Sequence, residues 1–440
     1  MTVDTNRDFK ILKALLSTDR NGASLDISQV ITDIDIYEEL DKPYLTADIT
    51  FLDTESVVQN LDIQGVEKLE LSIQSPHTKN IINKTFRIVK ISQAIRSGDR
   101  GEAVILAAVE EHAYVSNALN VNKCYTGSPG SIIQSIADDY LDKTIVGDGD
   151  QFQEMKVIVP NLNPVEAMNW IKTRATNSDG MPYYLYSVLG DNNLRFKHLG
   201  SLLKSNPINQ KNPYTYSAAP LQRETDLQYF AIQSYQYEDA ENTSKLVSLG
   251  SVGGQHNFYD IANGYEYKVN FDVDKDVFQM INDRDYLNQN QTRYNFAPAS
   301  MVKDVPLSQN MSRVVSTIAS TGSYIGAGGF KSYEEEIDAG GHAKRVIGSA
   351  LKKYIDKSPL TISVDGRPFI MGGHTTIGNT IKIRFNDSSV NSASNKIVMD
   401  RKKSGDYIIM AVRHTFKFER YDVTMKCSKI ASYNKDEPVS

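Results

Sequence analysis

The sequence lacks several features that define common classes of protein. Its 440 residues include only two cysteines, Cys124 and Cys427, which lie far apart. This cysteine content excludes a disulfide framework and the paired-cysteine motifs of zinc sites. The longest apolar runs, VILAAV and YIIMAV, are far shorter than the ~20 residues that cross a bilayer. The first ten residues include two aspartates and do not resemble a secretory signal peptide, so we expect a protein made in the cytoplasm without membrane insertion.

Motifs of catalysis and of cofactor binding are also scarce. None of the seven histidines belongs to an HExxH motif or lies three to five residues from another histidine or cysteine. There is no GxSxG nucleophile motif, and the glycine-rich stretches IGAGGF and LGSVGGQ lack the GKS or GKT sequence of a phosphate-binding loop. We interpret His112 and His414 as hydrogen-bonded structural residues. The sequence therefore predicts neither an enzyme nor a metal or cofactor site.

Charge and aromatic content favour protein partners over nucleic acid. The 48 basic and 54 acidic residues give a net charge of −6, which does not attract a phosphate backbone as a whole. The densest basic run is Arg401, Lys402 and Lys403, which we interpret as a solvated loop tip and a candidate contact with a neighbouring chain. Tyrosine, with 24 residues, is favoured both in half-buried sheets and at protein interfaces.

Alternating apolar and polar residues predict a β-rich first region. In YLTADITFLD, the apolar residues Leu45, Ala47, Ile49 and Phe51 share one face, and a hairpin is predicted over KTFRIVKISQAIR and EAVILAAVEE. Between these strands we expect a short helix with Thr54 as its N-cap. Near the C-terminus, the stretch PLTISVDGRPFIM is predicted to be extended.

The central part of the chain is predicted to form an α/β module. Helices are predicted after Ser128-Pro129 and after Asn163-Pro164, because each pair combines an N-cap residue with a proline suited to the first turn. A third helix is predicted over HAKRVIGSALKKYI, where apolar residues recur at helical spacing.

The C-terminal region is predicted to form a long hairpin that follows a polar loop over residues 388–404. The facing sides of the hairpin are Ile408, Met410, Val412 and Phe416 on one strand and Tyr421, Val423, Met425 and Cys427 on the other.

A weak internal repeat links the first and last β-rich regions. In each region a glycine precedes an alternating strand, a connection and a long hairpin. The apolar residues of the two strands are Leu69, Leu71 and Ile73 after Gly65, and Ile381, Ile383 and Phe385 after Gly378. The order of the elements recurs although residue identity barely does, so the pattern predicts a structural duplication. In the second copy a long insertion would follow the first strand, FAIQSYQYED.

Three stretches carry a resemblance through their order and spacing. They are EEHAYVSNALNVNKCYTGSPGSIIQSIADDYL, VPNLNPVEAMNWIKTRAT, and DGRPFIMGGHTTIGNTIKIRFNDS followed by DYIIMAVRHTF. Together they resemble the baseplate central hub protein of T-even-like contractile-tailed phages, whose fold is shared with the N-terminal part of the type VI secretion protein VgrG. The resemblance spans the chain from about Leu25 to Lys429. The 388–404 loop and an insertion around residues 274–331 depart from the family.

The resemblance implies an α+β fold that is mostly β, with two tail-tube-like β-barrel domains and an intervening, peripheral α/β domain. The expected divisions are 1–118 for the first tube-like domain, 119–223 plus 274–332 for the α/β domain with its insertion, 224–273 plus 333–432 for the second tube-like domain, and 433–440 for a C-terminal tail. Paired strand edges would then build a ring wall. The residues expected on that wall are Leu69, Leu71, Ile73, Ile381, Ile383, Phe385, Ile408, Met410 and Val412.

The resemblance also implies a function that resides in surfaces. Three copies would form a pseudo-sixfold ring that adapts the sixfold tail tube to the threefold cell-puncturing spike and forms part of the DNA-ejection channel. Expected partners are further copies of the chain, the spike protein, tail-tube or tube-initiator proteins, the tape-measure protein and inner baseplate wedge proteins, with DNA only in transit. The protein would belong to the virion, as part of a tail baseplate assembled in the host cytoplasm.

Two alternatives stay open. The first is a tail-associated cell-wall hydrolase or carbohydrate-binding module. A hydrolase would use two carboxylates at a suitable separation, for which Asp148, Asp150 and Asp191 are candidates. A spike chain of a secretion system is the other alternative. We expect no spike β-helix, because the sequence ends at Ser440 soon after the second β-rich region.

Overall fold

The computed structural model describes most of the chain. The described residues are 8–20, 22–74, 80–96, 101–149, 151, 154–216, 227–237, 242–260, 265–284, 286, 292–293, 301–318, 324–325, 341–357, 359–372, 376–391 and 396–432. In this part of the chain, no helix is both long enough and apolar enough to cross a membrane. The predicted fold class, α+β and mostly β, is confirmed.

Strands make up most of the regular structure. In chain order the strands are β1 (Lys10–Ser17), β2 (Ser24–Asp26), β3 (Ile31–Glu39), β4 (Thr46–Asp53), β5 (Lys68–Gln74), β6 (Ile81–Arg96), β7 (Glu102–Glu110), β8 (Cys124–Gly127), β9 (Ile145–Gly147), β10 (Glu154–Ile158), β11 (Tyr183–Tyr186), β12 (Leu194–His198), β13 (Tyr214–Tyr216), β14 (Ile232–Gln236), β15 (Gly253–Asp260), β16 (Tyr265–Asp272), β17 (Thr292–Arg293), β18 (Met301–Val302), β19 (Val305–Pro306), β20 (Val314–Ile318), β21 (Tyr324–Ile325), β22 (Pro359–Asp365), β23 (Thr380–Asn391), β24 (Lys396–Met399), β25 (Gly405–Lys417) and β26 (Arg420–Ser432).

Helices connect these strands and cover parts of them. They are α1 (Val57–Asn60), α2 (Glu111–Ser116), α3 (Pro129–Tyr140), α4 (Pro164–Lys172), α5 (Leu199–Leu203), α6 (Thr243–Ser248), α7 (Met280–Asp283), α8 (His342–Ile355) and α9 (Arg367–Gly372). Short 3₁₀ helices lie at Leu227–Phe230 and Leu307–Gln309, and a π-helical segment lies at Asp274–Gln279.

One fifteen-stranded sheet contains both β-rich regions. Its main path runs β14-β22-β26-β25-β3-β4-β7-β6-β5-β1-β2, while β13, β17, β23 and β24 join beside this path. Each neighbouring pair along the main path is antiparallel. Near the middle of the path, β25 pairs with β3 through the register Ala411↔Glu39 to Lys417↔Asp33. We call this pairing the internal seam.

The main sheet contains one five-stranded unit twice. The first unit has the order β3-β4-β7-β6-β5, and the second unit has the order β14-β22-β26-β25-β23. In each unit the second strand in chain order leads through a short helix, α1 or α9, into a strand and then a long hairpin. The duplication predicted from the sequence is therefore present in the sheet. The internal seam joins the second unit to the first.

β-bulges recur at equivalent positions of the two units. The register shifts lie at Ile31–Asp33 on β3, Ile88–Lys90 on β6, Ile232–Ser234 on β14 and Ile409–Ala411 on β25. A bulge places one extra residue on one strand only, so it marks a definite position in a ladder. Matching bulges on two pairs of strands therefore align β3 with β14 and β6 with β25.

A glycine precedes β5 in the first unit and β23 in the second, and each has the positive φ angle that only glycine adopts readily. The φ angles are 92° at Gly65 and 76° at Gly378. Equivalent backbone hydrogen bonds follow the two glycines. They run from Ile88 N–H to the Glu67 carbonyl at 2.8 Å and from Ile409 N–H to the Asn379 carbonyl at 3.0 Å. These contacts anchor the long hairpin of each unit just before its bulge.

Three hydrophobic cores hold the described chain together. The first core combines buried side chains of both units. The second lies around α5, α8 and the segment that contains Val273 and Val277. The third belongs to the α/β module and packs α3 and α4 against β8 to β12. The helix starts predicted in this module are confirmed, since Ser128 accepts from Ser131 N–H and Asn163 accepts from Glu166 N–H.

Two local predictions about helices are wrong. The helix expected to start at Thr54 has Ser56 as its N-cap, and the Asp53 carboxylate accepts from the N–H groups of Val57 at 2.7 Å and Val58 at 3.1 Å. The stretch RPFIM, predicted to be extended, lies in helix α9. A carboxylate just before each helix accepts its first N–H groups, which favours the helical turn over a continued strand.

The polar loop predicted over residues 388–404 contains two paired strands in its described part, and residues 392–395 lie outside the described residues. Strand β23 continues to Asn391 and pairs with β24, with Asn391 opposite Lys396 and Val390 opposite Ile397. The β-branched residues in this polar stretch favour extended backbone, and the prediction gave them too little weight. The turn that follows β24 contains Arg401–Lys403.

The long C-terminal hairpin differs from its predicted pattern on one strand. As predicted, Val412 opposes Met425 and Phe416 opposes Tyr421, and these side chains belong to the first core. Ile408 and Met410 instead contact the second core. The bulge between Ile409 and Ala411 is the reason, because one extra residue turns the side chains on its two sides toward opposite faces.

Candidate interaction surfaces

The residues predicted to form a ring wall all lie on strands of the main sheet. Those on β5 and β23 are buried in the first core, and they are Leu69, Leu71, Ile73, Ile381, Ile383 and Phe385. On β25, Val412 lies in the first core, Ile408 is buried in the second, and Met410 is half-buried against the second. These side chains hold the sheet to its cores. Their place in a ring wall stays a prediction.

The basic run Arg401–Lys403 forms a turn whose backbone is held by hydrogen bonds with neighbouring side chains. The Asp400 carboxylate accepts from the N–H groups of Lys402 at 2.9 Å and Lys403 at 3.1 Å. The buried ammonium of Lys429 donates to the carbonyl oxygens of Arg401 at 3.2 Å and Lys402 at 2.6 Å. The Arg401 and Lys402 side chains are exposed, and Lys403 is half-buried. The turn therefore offers positive charge at a fixed place, and its role as an interface loop stays a prediction.

A buried carboxylate fastens the internal seam. Glu38 on β3 accepts hydrogen bonds from the Thr376 hydroxyl and the Leu189 N–H, and its Oε1 lies 3.5 Å from Nε2 of His414 on β25. Nδ1 of the same imidazole lies 2.7 Å from the Tyr421 hydroxyl oxygen. Burial alone would raise the pKa of Glu38, but His414 and the two donors bring that pKa below its ordinary value. One charged group thus joins both units.

Ion pairs close the other face of the internal seam. Arg413 on β25 makes two contacts with Asp35 on β3, with Nε–Oδ1 at 2.9 Å and Nη2–Oδ2 at 2.6 Å. Nζ of Lys417 lies 2.5 Å from Oδ2 of Asp33. The Thr415 hydroxyl also donates to Asp35, at 2.6 Å. Basic residues of one strand therefore meet acidic residues of the other, which favours this pairing.

The second half of β6 lies at an uncovered sheet edge. Ile81–Arg87 pairs with β5, but beyond the bulge β6 pairs with β7 alone among the strands that the structure describes. Each residue from Val89 to Arg96 is exposed, including Val89 at 46%, Ile91 at 37% and Ile95 at 53%. We call Val89–Arg96 the β6 extension. An exposed strand edge with apolar side chains is a template for pairing with another strand.

Strand β14 forms one end of the sheet path. It pairs with β22, and four of its five residues are exposed. Its Tyr235 packs edge-on against Tyr216 and Phe385, with ring centroids 4.7 and 4.9 Å apart, and Lys403 lies 5.5 Å from the Tyr235 ring centroid. These contacts fix β14 to its own unit, so its geometry does not depend on a partner.

A polar cleft of about 810 Å³ lies between the first unit and the α/β module. At its base, Lys84 Nζ lies 3.3 Å from Glu110 Oε1 and donates to the Asp191 carbonyl at 2.6 Å. Burial would raise the pKa of Glu110, but Lys84 lowers it below its ordinary value. Burial also lowers the pKa of Lys84. Within this pair, each charge offsets part of the cost of burying the other.

His112 beside this cleft has a structural contact. Its Nε2 lies 2.7 Å from the Pro43 carbonyl oxygen, so Nε2 carries the proton and donates. Burial lowers the pKa of His112, which keeps the ring neutral. This hydrogen bond agrees with the interpretation of His112 as a structural residue at a strand end.

Two of the three carboxylates considered for a glycosidase pair support local structure. Asp148 accepts from the Ser201 hydroxyl at 2.5 Å, and Asp191 lies 3.3 Å from an Arg195 guanidinium nitrogen. Asp150 lies outside the described residues. Over the described ranges, no group of three or more His, Cys, Asp or Glu side chains could hold a metal ion.

The sequence reasoning missed the internal seam and the β6 extension. The seam did leave a signal, because Asp33 and Asp35 alternate with isoleucines while Arg413 and Lys417 alternate with buried residues of β25. Complementary alternation of this kind indicates two strands that could pair. The β6 extension left no such signal, since a single sequence does not show where strand neighbours end.

Comparison with known proteins identifies the class of fold. No family model matches this chain, and no curated protein matches it. Two solved structures are similar along nearly their whole length, each with a TM-score of 0.50. One is a tail protein from Neisseria meningitidis MC58, with 11% identity over 95% of this chain and 97% of that one. The other is the 43 kDa tail protein of prophage MuSo2 from Shewanella oneidensis, with 9% identity over 95% and 98%.

The chain therefore has the fold of these tail proteins. The resemblance to tail proteins that was predicted from the sequence is confirmed at the level of the fold. At identities near 10%, the similarity concerns backbone architecture and carries over no individual residue.

Proposed function

We propose that this chain is the structural hub of a contractile phage tail baseplate. Three copies would form a pseudo-sixfold ring that adapts the sixfold tail tube to the threefold cell-puncturing spike and forms part of the DNA-ejection channel. The observation that carries the proposal is the duplicated five-stranded unit, because three such chains supply six similar units around a threefold axis. The fold similarity to two tail proteins supports a place in a tail.

The proposed domain organisation follows the two units. The first unit lies in a tube-like domain over residues 1–118, and the second lies in a tube-like domain over residues 224–273 plus 333–432. Residues 119–223 plus 274–332 would form the peripheral α/β domain, and 433–440 a C-terminal tail. In this organisation the ring wall consists of sheet, and the α/β domain lies outside it.

The proposed partners follow from the place of a hub. They are further copies of the chain, the spike protein, tail-tube or tube-initiator proteins, the tape-measure protein and inner baseplate wedge proteins, with DNA only in transit. The turn of Arg401–Lys403, with its positive charge, is the proposed contact with one of these proteins. The protein would be a component of the virion, assembled in the host cytoplasm.

We propose no catalytic activity. Several carboxylates that line the polar cleft are engaged in ion pairs: Glu110 with Lys84, Glu111 with Arg87, and Asp139 with Lys123. A hydrolytic pair would need one carboxyl group that stays protonated near neutral pH, and cationic partners oppose that state.

Native mass measurement tests the proposal. The purified chain is measured alone and mixed with the spike protein of the same phage, and a trimer or a three-to-three complex is expected. Images of that species should show a ring with six similar units and threefold symmetry. A strict monomer under both conditions would contradict the hub proposal. Release of cell-wall fragments by the purified chain would instead favour the hydrolase alternative.

A further inference from the structure

We infer that β14 of a second copy of this chain pairs antiparallel with the β6 extension of the first. This contact between copies repeats the way in which β3 pairs with β25 inside each chain. The inference deepens the proposed function, and it rests on that function for the closing of three copies into a ring. The internal seam serves as its template, and four observations support it.

The first observation is the structural equivalence of the strands concerned. The first unit contains β3 and β6 where the second unit contains β14 and β25. One bulge of each strand coincides, at Ile31–Asp33 with Ile232–Ser234 and at Ile88–Lys90 with Ile409–Ala411, and β6 has a further bulge at Ile91–Gln93 that β25 lacks. Beyond the second bulge of β6, Gln93–Arg96 pairs regularly with β7, as β25 pairs with β26 where β3 lies beside it, so this part of β6 is the segment that can accept a β14 strand.

The second observation is a contrast in burial beyond the two equivalent bulges. On β25, Val412, His414 and Phe416 are at most 2% exposed, and β3 lies beside them. On β6, every residue of the β6 extension is exposed. The two segments have the same position in their units but different neighbours. A missing neighbour strand accounts for the difference, because β7 and β26 cover the other edge equally in both units.

The third observation concerns the place of the two edges in the sheet. Along the main path, six strands separate β14 from β6, namely β22, β26, β25, β3, β4 and β7. Within the described sheet the two edges therefore do not meet in one chain, and a second copy brings them together. The contact is heterologous, since different surfaces of the two copies meet, and repeated heterologous contacts close into a ring or extend into a filament.

The fourth observation gives the register of the contact. Thr415 on β25 lies opposite Asp422 on β26 and opposite Asp35 on β3. Counting along β7 and β26 from the equivalent bulges places Ile95, which lies opposite Ala103, at the position of Thr415. Counting from the bulges of β3 and β14 places Gln236 at the position of Asp35. Ile95 of one copy should therefore lie beside Gln236 of the next.

Disulfide crosslinking tests this register. Cross-strand neighbours have Cα atoms about 4.5–5.5 Å apart, which suits a disulfide bond. In a Cys124→Ser background, which removes the exposed cysteine and keeps the buried Cys427, Ile95→Cys and Gln236→Cys are introduced into one chain. Mild oxidation should give covalent oligomers on a non-reducing denaturing gel. Mixing the two single variants should give only crosslinked dimers.

A matched pair controls for chance collisions. Ile81→Cys with Gln236→Cys uses a residue of β6 that is 46% exposed but lies at the other end of the strand, opposite Gln74. The crosslinked fraction of the Ile95 pair should exceed that of the Ile81 pair by about tenfold or more, because only paired strands hold the thiols at high effective concentration. Far-ultraviolet circular dichroism checks that all variants fold.

Native mass of the same samples separates the two proposals. A trimer that crosslinks through Ile95→Cys and Gln236→Cys supports both. A trimer in which the two pairs crosslink equally, or not at all, overturns the strand pairing and leaves the hub proposal intact. A monomer without crosslinks overturns both. Crosslinking of Ile95→Cys to the spike or tube protein in preference to a second copy also overturns the inference, because it assigns this edge to another partner.

Discussion

The two units differ most in what lies against their outer edges. On the first unit, Asp33 and Asp35 of β3 meet basic side chains of β25 across the internal seam. On the second unit, the equivalent residues of β14 are Ser234 and Gln236, which carry no charge. One strand architecture therefore gives a charged, closed seam in one place and an uncharged edge in the other. The backbone thus permits a pairing, and side-chain charge selects the partner.

The largest effect is expected from breaking the buried contact of the internal seam. In Glu38→Ala, the Thr376 hydroxyl, the Leu189 N–H and the His414 imidazole lose their shared carboxylate. The free energy of unfolding should fall by about 3–5 kcal/mol, as when one partner of a buried pair is removed. Urea denaturation followed by circular dichroism measures the change.

The matched control for Glu38→Ala lies on the exposed strand β14. Ser234→Ala changes the residue equivalent to Asp33 and should alter the free energy of unfolding by no more than about 0.5 kcal/mol. Equal losses for the two variants would show that the seam and the β14 edge do not differ in the way described.

A second comparison concerns the glycines that precede β5 and β23. A Cβ at Gly65 would lie 2.6 Å from the Val89 carbonyl oxygen, whereas a Cβ at Gly378 would lie 3.0 Å from the Tyr186 hydroxyl. Gly65→Ala should cost about 2–3 kcal/mol of unfolding free energy, because backbone must move and φ is positive. Gly378→Ala should cost about 1 kcal/mol, because a side-chain end can shift. Thermal or urea unfolding of the two variants side by side would reveal a reversed order.

Acid should weaken the internal seam before it affects the β14 edge. The folded-state pKa of Glu38 lies below its ordinary value of 4.5, so its stabilisation is fully present above that value and is lost as the pH falls through the folded pKa. In Glu38→Gln, the fall in unfolding free energy below pH 4.5 should be shallower than in the unmodified chain. Urea titrations at several pH values between 3 and 6 measure the slopes, and identical slopes would assign acid sensitivity to other groups.

The smallest effect is expected at the surface of the internal seam. A double-mutant cycle of Asp35→Asn and Arg413→Gln should give a coupling energy below about 1 kcal/mol, since the Arg413 side chain is half exposed. Added salt should reduce that coupling. The pair Lys123–Asp139, which lies away from the seam, is a suitable reference. A coupling several times larger would mean that this ion pair holds the units together more strongly than Glu38 does.

Much of the fold could be predicted from the sequence because local rules governed it. Alternation located β4 and β5, and paired cap and proline residues located α3 and α4. The duplication was predictable because each copy kept its glycine, strand and hairpin in order. Helix α9 was missed because its apolar residues also suited a strand. The Asp365 carboxylate stabilises the helix, because it accepts a hydrogen bond from Arg367 N–H at 2.9 Å.

The candidate surfaces were less predictable for a physical reason. Both the internal seam and the β6 extension depend on which strands become neighbours across hundreds of residues, and alternation alone does not encode that choice. The bulge on β25 illustrates the same limit. One extra residue moved Ile408 and Met410 into the second core, although the sequence placed them with Val412.

The hairpin of β23 and β24 gives the two units unequal outlines. It extends the second unit only, since the first unit passes from β5 to β6 with no additional strand in its described part. A head-to-tail assembly of this chain would therefore display the hairpin at every second unit. A binding partner that recognises the hairpin would find one site in each chain, whereas the five-stranded unit occurs twice in each chain. An insertion in one unit alone can in this way halve the rotational order that an otherwise repetitive surface presents.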